Sequence, residues 1–265
     1  MSMISGILAF VMFGTMLVSC SGGASAPGGT ETETGAEAEA ETETEKAAYS
    51  MSAESMKIDG TEWSYLFYAP ETEPSEKLPM IVYLHGGSGK GKDLSLLTSA
   101  DGFPAYLNDG KIAPECYVVI PQLDGYKGWN EAGDKVMKLI STLEGEYMID
   151  PDRVSLTGHS MGGTGVWSLA LAYPGSFSAI APLSGSVLTN ELNLKKLSGL
   201  PVYAVVGGSD TIVPPESSEK FISALGKTNP DARIEVIEGA DHFAVPAAYL
   251  DEELGIVDWL LSESE

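Results

Sequence analysis

Val154-Ser155-Leu156-Thr157-Gly158-His159-Ser160-Met161-Gly162-Gly163 is the stretch on which the fold turns. Val154 to Leu156 reads as a short apolar strand that stops at Gly158, and Thr164 to Ala172 reads as a helix ended by Tyr173-Pro174-Gly175. Between them lies Gly-x-Ser-x-Gly. In a chain with 30 glycines such a match alone carries little weight. Its position between a strand and a helix gives it weight. A serine on a sharp strand-to-helix turn is held clear of the sheet at the helix N-terminus, with glycines leaving room for the tight backbone. The bland alternative is a glycine-rich turn whose serine caps a helix.

Strand and helix signals alternate on both sides of this turn. Trp63 to Tyr68, Met80 to Leu84, Tyr117 to Ile120, Ser178 to Pro182, Val202 to Val206 and Arg233 to Ile237 read as strands. Asp134 to Leu143 has helical periodicity, and Ala247 to Leu261 reads as one closing amphipathic helix. Apolar strands separated by helices predict a mainly parallel sheet covered on both faces. In such sheets chemistry sits beyond the carboxyl ends of the strands.

Four strand ends carry complementary residues. Ser160 is the candidate nucleophile. A hydroxyl is a poor nucleophile until a base takes its proton. Of the three histidines, His242 follows the last strand, in Gly239-Ala240-Asp241-His242-Phe243, where a loop can bring it over the serine. His159 adjoins Ser160 and turns back to its hydroxyl only with difficulty. A carboxylate must then fix the imidazole tautomer. Asp210, after Val202 to Val206 and Gly207-Gly208-Ser209, is the candidate, with Glu216 as runner-up. Asp241 is badly placed to reach the ring beside it. His85-Gly86-Gly87-Ser88-Gly89 follows another strand and suits an oxyanion-binding loop. The expected donors are the N–H groups of Met161 and of Gly87, with Ser88 as the alternative to Gly87. Gln122 to Trp129 is expected to line the pocket. Trp129 either stacks on a substrate ring or packs under the loop.

Tyr83-Leu84-His85-Gly86-Gly87, Gly158 to Gly163, Gly208-Ser209-Asp210 with Val213-Pro214, and Gly239 to His242 together resemble the α/β-hydrolase superfamily. The order Ser160, Asp210, His242 is that superfamily's order. Within it the chain is similar to secreted bacterial esterases of the dienelactone-hydrolase, feruloyl-esterase and polyhydroxybutyrate-depolymerase-like group, and to predicted peptidases. The resemblance covers nearly all of residues 49–265. It implies an α/β-hydrolase fold and two-step acyl transfer, with no cofactor and no metal. Dienelactone hydrolases proper use a cysteine nucleophile. Ser160 at that position favours cleavage of carboxylic esters. A peptidase or an acyltransferase would share every one of these residues, and a non-catalytic surface binding domain would need none of them. The interval Gly185 to Leu200, with one short helical turn over Asn193 to Leu197, is too small for a large lid. Short or compact acyl groups on soluble or polymer-borne esters are therefore expected.

The N-terminal region reads differently. Ile7 to Val18 is an apolar run of about twelve residues, short of the roughly 20 that span a bilayer, and it suits a secretory leader over residues 1–19. No Lys or Arg precedes it. Leu17-Val18-Ser19-Cys20 resembles a bacterial lipobox, which makes Cys20 the expected lipidation site and a lipid anchor at the outer face of the membrane the only membrane contact; the alternative is a free cysteine in an ordinary leader and a secreted protein. Residues 20–48 are rich in Gly, Ser, Ala, Thr and Glu, with too little apolar surface to fold, and read as a solvated tether. The tether's seven Glu and one Lys account for −6 of the chain's net −23, leaving −17 on residues 49–265. A surface that negative repels polyanions and excludes nucleic acid as a partner.

Overall fold

The computed structural model describes residues 48–262; the expected leader, Cys20 and nearly all of the tether lie outside them. Eight strands form one sheet. β1 (Tyr49–Ile58) and β2 (Thr61–Pro70) make an antiparallel hairpin closed by Asp59 and Gly60, both at positive φ. A two-residue turn of that kind matches the twist of the strands it joins. β2 also pairs antiparallel with β4 (Tyr117–Pro121). From there every pairing is parallel: β4 with β3 (Leu78–Leu84), β3 with β5 (Ile149–His159), then β6 (Ile180–Leu183), β7 (Val202–Gly207) and β8 (Ala232–Ile237). The spatial order is β1-β2-β4-β3-β5-β6-β7-β8.

The burial of the strands follows from that order. β4, β6 and β7 are buried at every position, as expected of strands covered on both faces. β1 and β8 form the edges and are the least covered: β1 buries only Ile58, and no residue of β8 is fully buried. Alternate side chains of β3 feed two separate cores. Met80, Val82 and Leu84 join a cluster with α2 (Trp129–Glu146), α3 (Met161–Ala172) and α5 (Glu216–Leu225). Ile81 and Tyr83 join a second cluster with α1 (Phe103–Asn108) and α6 (Ile256–Ser262). Helices thus cover both faces of a mainly parallel sheet.

Several elements depart from the sequence reading, and helices α1 and α5 were not read from it at all. The edge strand β1 was not foreseen. α2 starts five residues before Asp134, at Trp129. The closing helix is broken into a short 3₁₀ helix, Val245–Leu250, and α6. The Asp251 carboxylate accepts the N–H groups of Glu253 and Leu254 at 2.9 and 3.2 Å, and Gly255 takes φ 54°, so the chain turns where helical periodicity alone would have run on. α4 (Glu191–Lys196) is the foreseen single turn. None of its residues is buried, and nothing from Gly185 to Leu200 lines the pocket around Ser160.

Candidate active site

Ser160 stands between the end of β5 and the start of α3 with φ 61° and ψ −119°. A non-glycine residue in that region is strained by roughly 1–3 kcal/mol. Its own backbone holds it there: Ser160 N–H donates to Leu183 O at 3.0 Å, and Ser160 O accepts from Thr164 N–H at 2.9 Å. The turn also demands close approach. A Cβ on Gly158 or on Gly162 would run into the Leu84 carbonyl of β3, so neither position admits a side chain.

The loops after β7 and β8 bring two further residues to this turn. His242 Nδ1–H donates to Asp210 Oδ2 at 2.7 Å, and the Ser160 hydroxyl donates to His242 Nε2 at 2.8 Å. The carboxylate fixes the imidazole proton on Nδ1 and leaves the Nε2 lone pair facing the serine. Asp210 is 4% exposed. Its Oδ1 accepts the N–H groups of Ile212 and Val213 at 2.9 and 2.8 Å. Burial pushes this carboxyl up, but the donors on both oxygens, Val213 N–H and His242 foremost, outweigh burial and hold it below the usual carboxylate range. The runners-up are occupied elsewhere. Glu216 is exposed at the first position of α5. Asp241 turns away from the ring, and its Oδ1 accepts the N–H groups of Phe243 and Ala244 at 3.0 Å each.

Met161 is the first residue of α3 and Gly87 the first of a 3₁₀ helix, Gly87–Gly89. N–H groups at such positions have no acceptor within their helix. Gly89 N–H donates to Gly86 O at 3.2 Å, whereas the N–H groups of Gly87 and Ser88 have no backbone acceptor among the described residues. Both line a cavity of about 460 Å³ together with Ser160 and His242. Asp101, ahead of α1, and Ile212 and Phe243 line it as well.

Trp129 does not reach this cavity. It is 1% exposed, its Nε1–H donates to His85 O at 3.0 Å, and it packs against α3 where Gly165 leaves room for it. Of the two roles open to it from sequence, packing under the loop is the one observed. No residue from Gln122 to Trp129 lines the cavity around Ser160, so the pocket-lining expectation is corrected for the whole stretch.

The other two histidines pack around this site. His85 pins the loop of Gly86 and Gly87 from below: its Nδ1–H donates to Gly86 O at 2.6 Å, and its Nε2 accepts Leu123 N–H at 3.0 Å. Burial lowers its pKa to about 4, so the ring stays neutral and keeps one donor and one acceptor. His159 lies against His242 with ring centroids 4.6 Å apart. Burial, and then the neighbouring His242, push its pKa down to about 4. The signal for His85 was present in the His-Gly-Gly run. The role of His159 depends on a contact across 83 residues that no local pattern encodes. Among the described residues no group of three or more His, Cys, Asp or Glu is arranged to hold a metal ion.

Comparison with known proteins places this geometry. NocK of Nocardia uniformis subsp. tsuyamanensis, assigned as an esterase, is 24% identical over 202 residues, which cover 72% of this chain and 59% of NocK. Poly(3-hydroxyalkanoate) depolymerase C of Paucimonas lemoignei is 29% identical over 122 residues, 40% of this chain and 28% of that protein. The chain therefore spans less than two thirds of the length of these relatives. Among solved structures, a thermostable esterase superposes with a TM-score of 0.67 at 25% identity, over 80% of this chain and 62% of that one. Residues 118–253, half of the chain and the half that carries Ser160, Asp210 and His242, match the dienelactone hydrolase family model. On that match and on its eight-stranded, mostly parallel sheet, the chain belongs to the dienelactone hydrolase family and has the α/β-hydrolase fold.

Proposed function

We propose that this protein is a serine hydrolase that cleaves carboxylic esters of short or compact acyl groups through an acyl-enzyme. The observation that carries the reading is the unbroken relay Asp210–His242–Ser160, at 2.7 and 2.8 Å, opening on a cavity beside the loop N–H groups of Gly87 and Ser88. Ser160 Oγ attacks the ester carbonyl while its proton passes to His242 Nε2. The carbonyl oxygen becomes an oxyanion that the N–H of Met161 and that of Gly87 or Ser88 stabilise. The C–O bond to the alcohol then breaks, and His242 returns the proton to the leaving oxygen. Water, deprotonated by the same imidazole, attacks the acyl-enzyme and releases the acid. Asp210 stays ionised throughout and stabilises the imidazolium.

The relatives' names, an esterase and a polyester depolymerase, favour esters over amides. The short stretch between β6 and β7 favours an open site and substrates in solution or on a polymer chain. The test is a panel of para-nitrophenyl acetate, butyrate and palmitate beside aminoacyl anilides. Turnover of the short esters with the anilides untouched supports the reading; faster cleavage of the anilides makes the protein a peptidase.

The location is a separate proposal resting on residues 1–48. A leader ends before Cys20, the cysteine carries lipid, and the acidic tether holds the catalytic unit off the outer face of the membrane. Cys20→Ala should move the protein from the membrane fraction to the soluble one. Wild type found soluble with an unmodified Cys20 would contradict this.

A further inference from the structure

The cavity around Ser160 is charged unevenly. Among the described residues that line it there is one carboxylate, Asp101, and no Lys or Arg. Asp101 sits in the loop ahead of α1, is exposed, and makes no ion pair among the described residues. The lysines of neighbouring loops are engaged elsewhere. Lys90 Nζ donates to Lys127 O at 3.3 Å, Lys92 pairs with Asp124 at 3.3 Å, and Lys111 pairs with Asp109 at 3.1 Å. His159, on the same cavity wall, is held neutral at pH 7 by its burial. The wall is therefore negative, and the surrounding −17 of residues 49–265 deepens that field.

A second feature points the same way. Phe243, next to His242, lines the same cavity and is 75% exposed, with its ring edge-on to the imidazole at 5.5 Å. A carboxylate and an open aromatic ring on one small cavity are the two groups that hold an alkylammonium: one by charge, the other by its quadrupole.

We propose that Asp101 sets the charge preference of this site, favouring esters that bring a cation into the cavity and turning away esters that carry a carboxylate near the scissile bond. The proposal rests on the esterase reading above and names its substrate class. A cavity of 460 Å³ keeps any charge on the bound substrate within several ångströms of its walls. Coulomb's law at the dielectric of a wet, open pocket turns that separation into about a three- to tenfold effect on kcat/KM per substrate charge. Salt screens such a partly exposed pair, so the preference shrinks as ionic strength rises.

The experiment compares wild type with Asp101→Asn on two matched series. The first presents the charge on the acyl side: para-nitrophenyl esters of γ-trimethylammoniobutyrate, of its uncharged tert-butyl isostere, and of adipate as the monoanion. The second presents it on the alcohol side: acetylthiocholine and its tert-butyl isostere. The readout is the ratio of kcat/KM for charged to neutral ester, so a general change in activity cancels. The acyl cation-to-anion ratio, or the thiocholine-to-isostere ratio, should exceed one in wild type at low salt. In Asp101→Asn whichever ratio exceeds one in wild type should fall, the cation-to-anion ratio by about tenfold or more or the thiocholine-to-isostere ratio by about three- to tenfold. Asp101→Lys should invert the preference. If the neutral esters are turned over but the ratios in both series stay within about twofold of wild type, the proposal is overturned and the esterase reading stands. If the folded wild type turns over no neutral ester, the esterase reading itself has failed and takes this proposal with it.

Discussion

Asp210→Asn changes one atom of the site, and the structure dictates which way the new amide must face. Oδ1 of Asp210 accepts two backbone N–H groups, from Ile212 and Val213. The asparagine must keep its oxygen there, since turning it would set its NH₂ against two backbone N–H donors and lose both hydrogen bonds. Its NH₂ is then forced against His242 Nδ1, where a carboxylate oxygen now sits at 2.7 Å. Two donors cannot share that contact. The imidazole proton moves to Nε2, which then presents a donor to Ser160 where an acceptor is needed. In another serine hydrolase the same change costs about 10⁴ in kcat, and at 1.36 kcal/mol per tenfold that is about 5.5 kcal/mol of barrier. The fold should lose far less, about 1–3 kcal/mol for one charge-assisted hydrogen bond. The assay is kcat/KM on para-nitrophenyl butyrate across pH, beside urea unfolding of the same preparation. A folded Asp210→Asn protein within about tenfold of wild type would refute the tautomer argument. Loss of activity in Glu216→Gln instead would assign the acid to a residue that the structure leaves exposed.

Two further outcomes follow from the same geometry. His85 and His159 have folded pKa values of about 4, well below the ordinary histidine value. Below pH ~6.5 the unfolded chain binds protons that the folded rings refuse, so stability should fall between pH ~6.5 and ~4 by up to about 3 kcal/mol per ring and be unaffected by them above that window. Urea midpoints measured through it should drop more steeply for wild type than for His159→Gln; equal slopes would mean that His159 is not held neutral. Gly162→Ala should be insoluble or destabilised by more than about 3 kcal/mol, because the new Cβ meets the Leu84 carbonyl, whereas Gly199→Ala, which meets nothing, should melt like wild type. A stable, active Gly162→Ala protein would mean that the turn is looser than described.

The residues of the relay were legible because each marks the carboxyl end of a strand whose apolar run reads clearly: Leu156 before Ser160, Val206 before Asp210, Ile237 before His242. Parallel pairing then brings those ends to one edge of the sheet, and the side chains meet without any long-range contact having to be foreseen. Trp129 was ambiguous for the opposite reason. Its burial depends on Gly165, 36 residues away on another helix, and no local pattern pairs the two. β1 was missed because Tyr49–Ile58 carries three serines, one Glu and one Lys among its ten residues, and it is a strand only because the Asp59-Gly60 turn folds it against β2. The closing helix was overread because its periodicity persists through Asp251, while the side chain of Asp251 caps a turn. Asp101 carried no signal at all. A lone acid in a loop gains meaning only from the cavity that it faces.

The central claim is that Ser160 forms the covalent bond to the substrate's acyl group. A fluorophosphonate mimics that step and leaves a stable adduct on an activated serine. Intact mass and peptide mapping of the treated protein should give one adduct on wild type, located on Ser160. Ser160→Ala, folded by circular dichroism, should take up none and keep no more than a trace of esterase activity. An adduct mapped to another residue, or a folded Ser160→Ala protein that still turns over para-nitrophenyl butyrate at near the wild-type rate, would contradict the account.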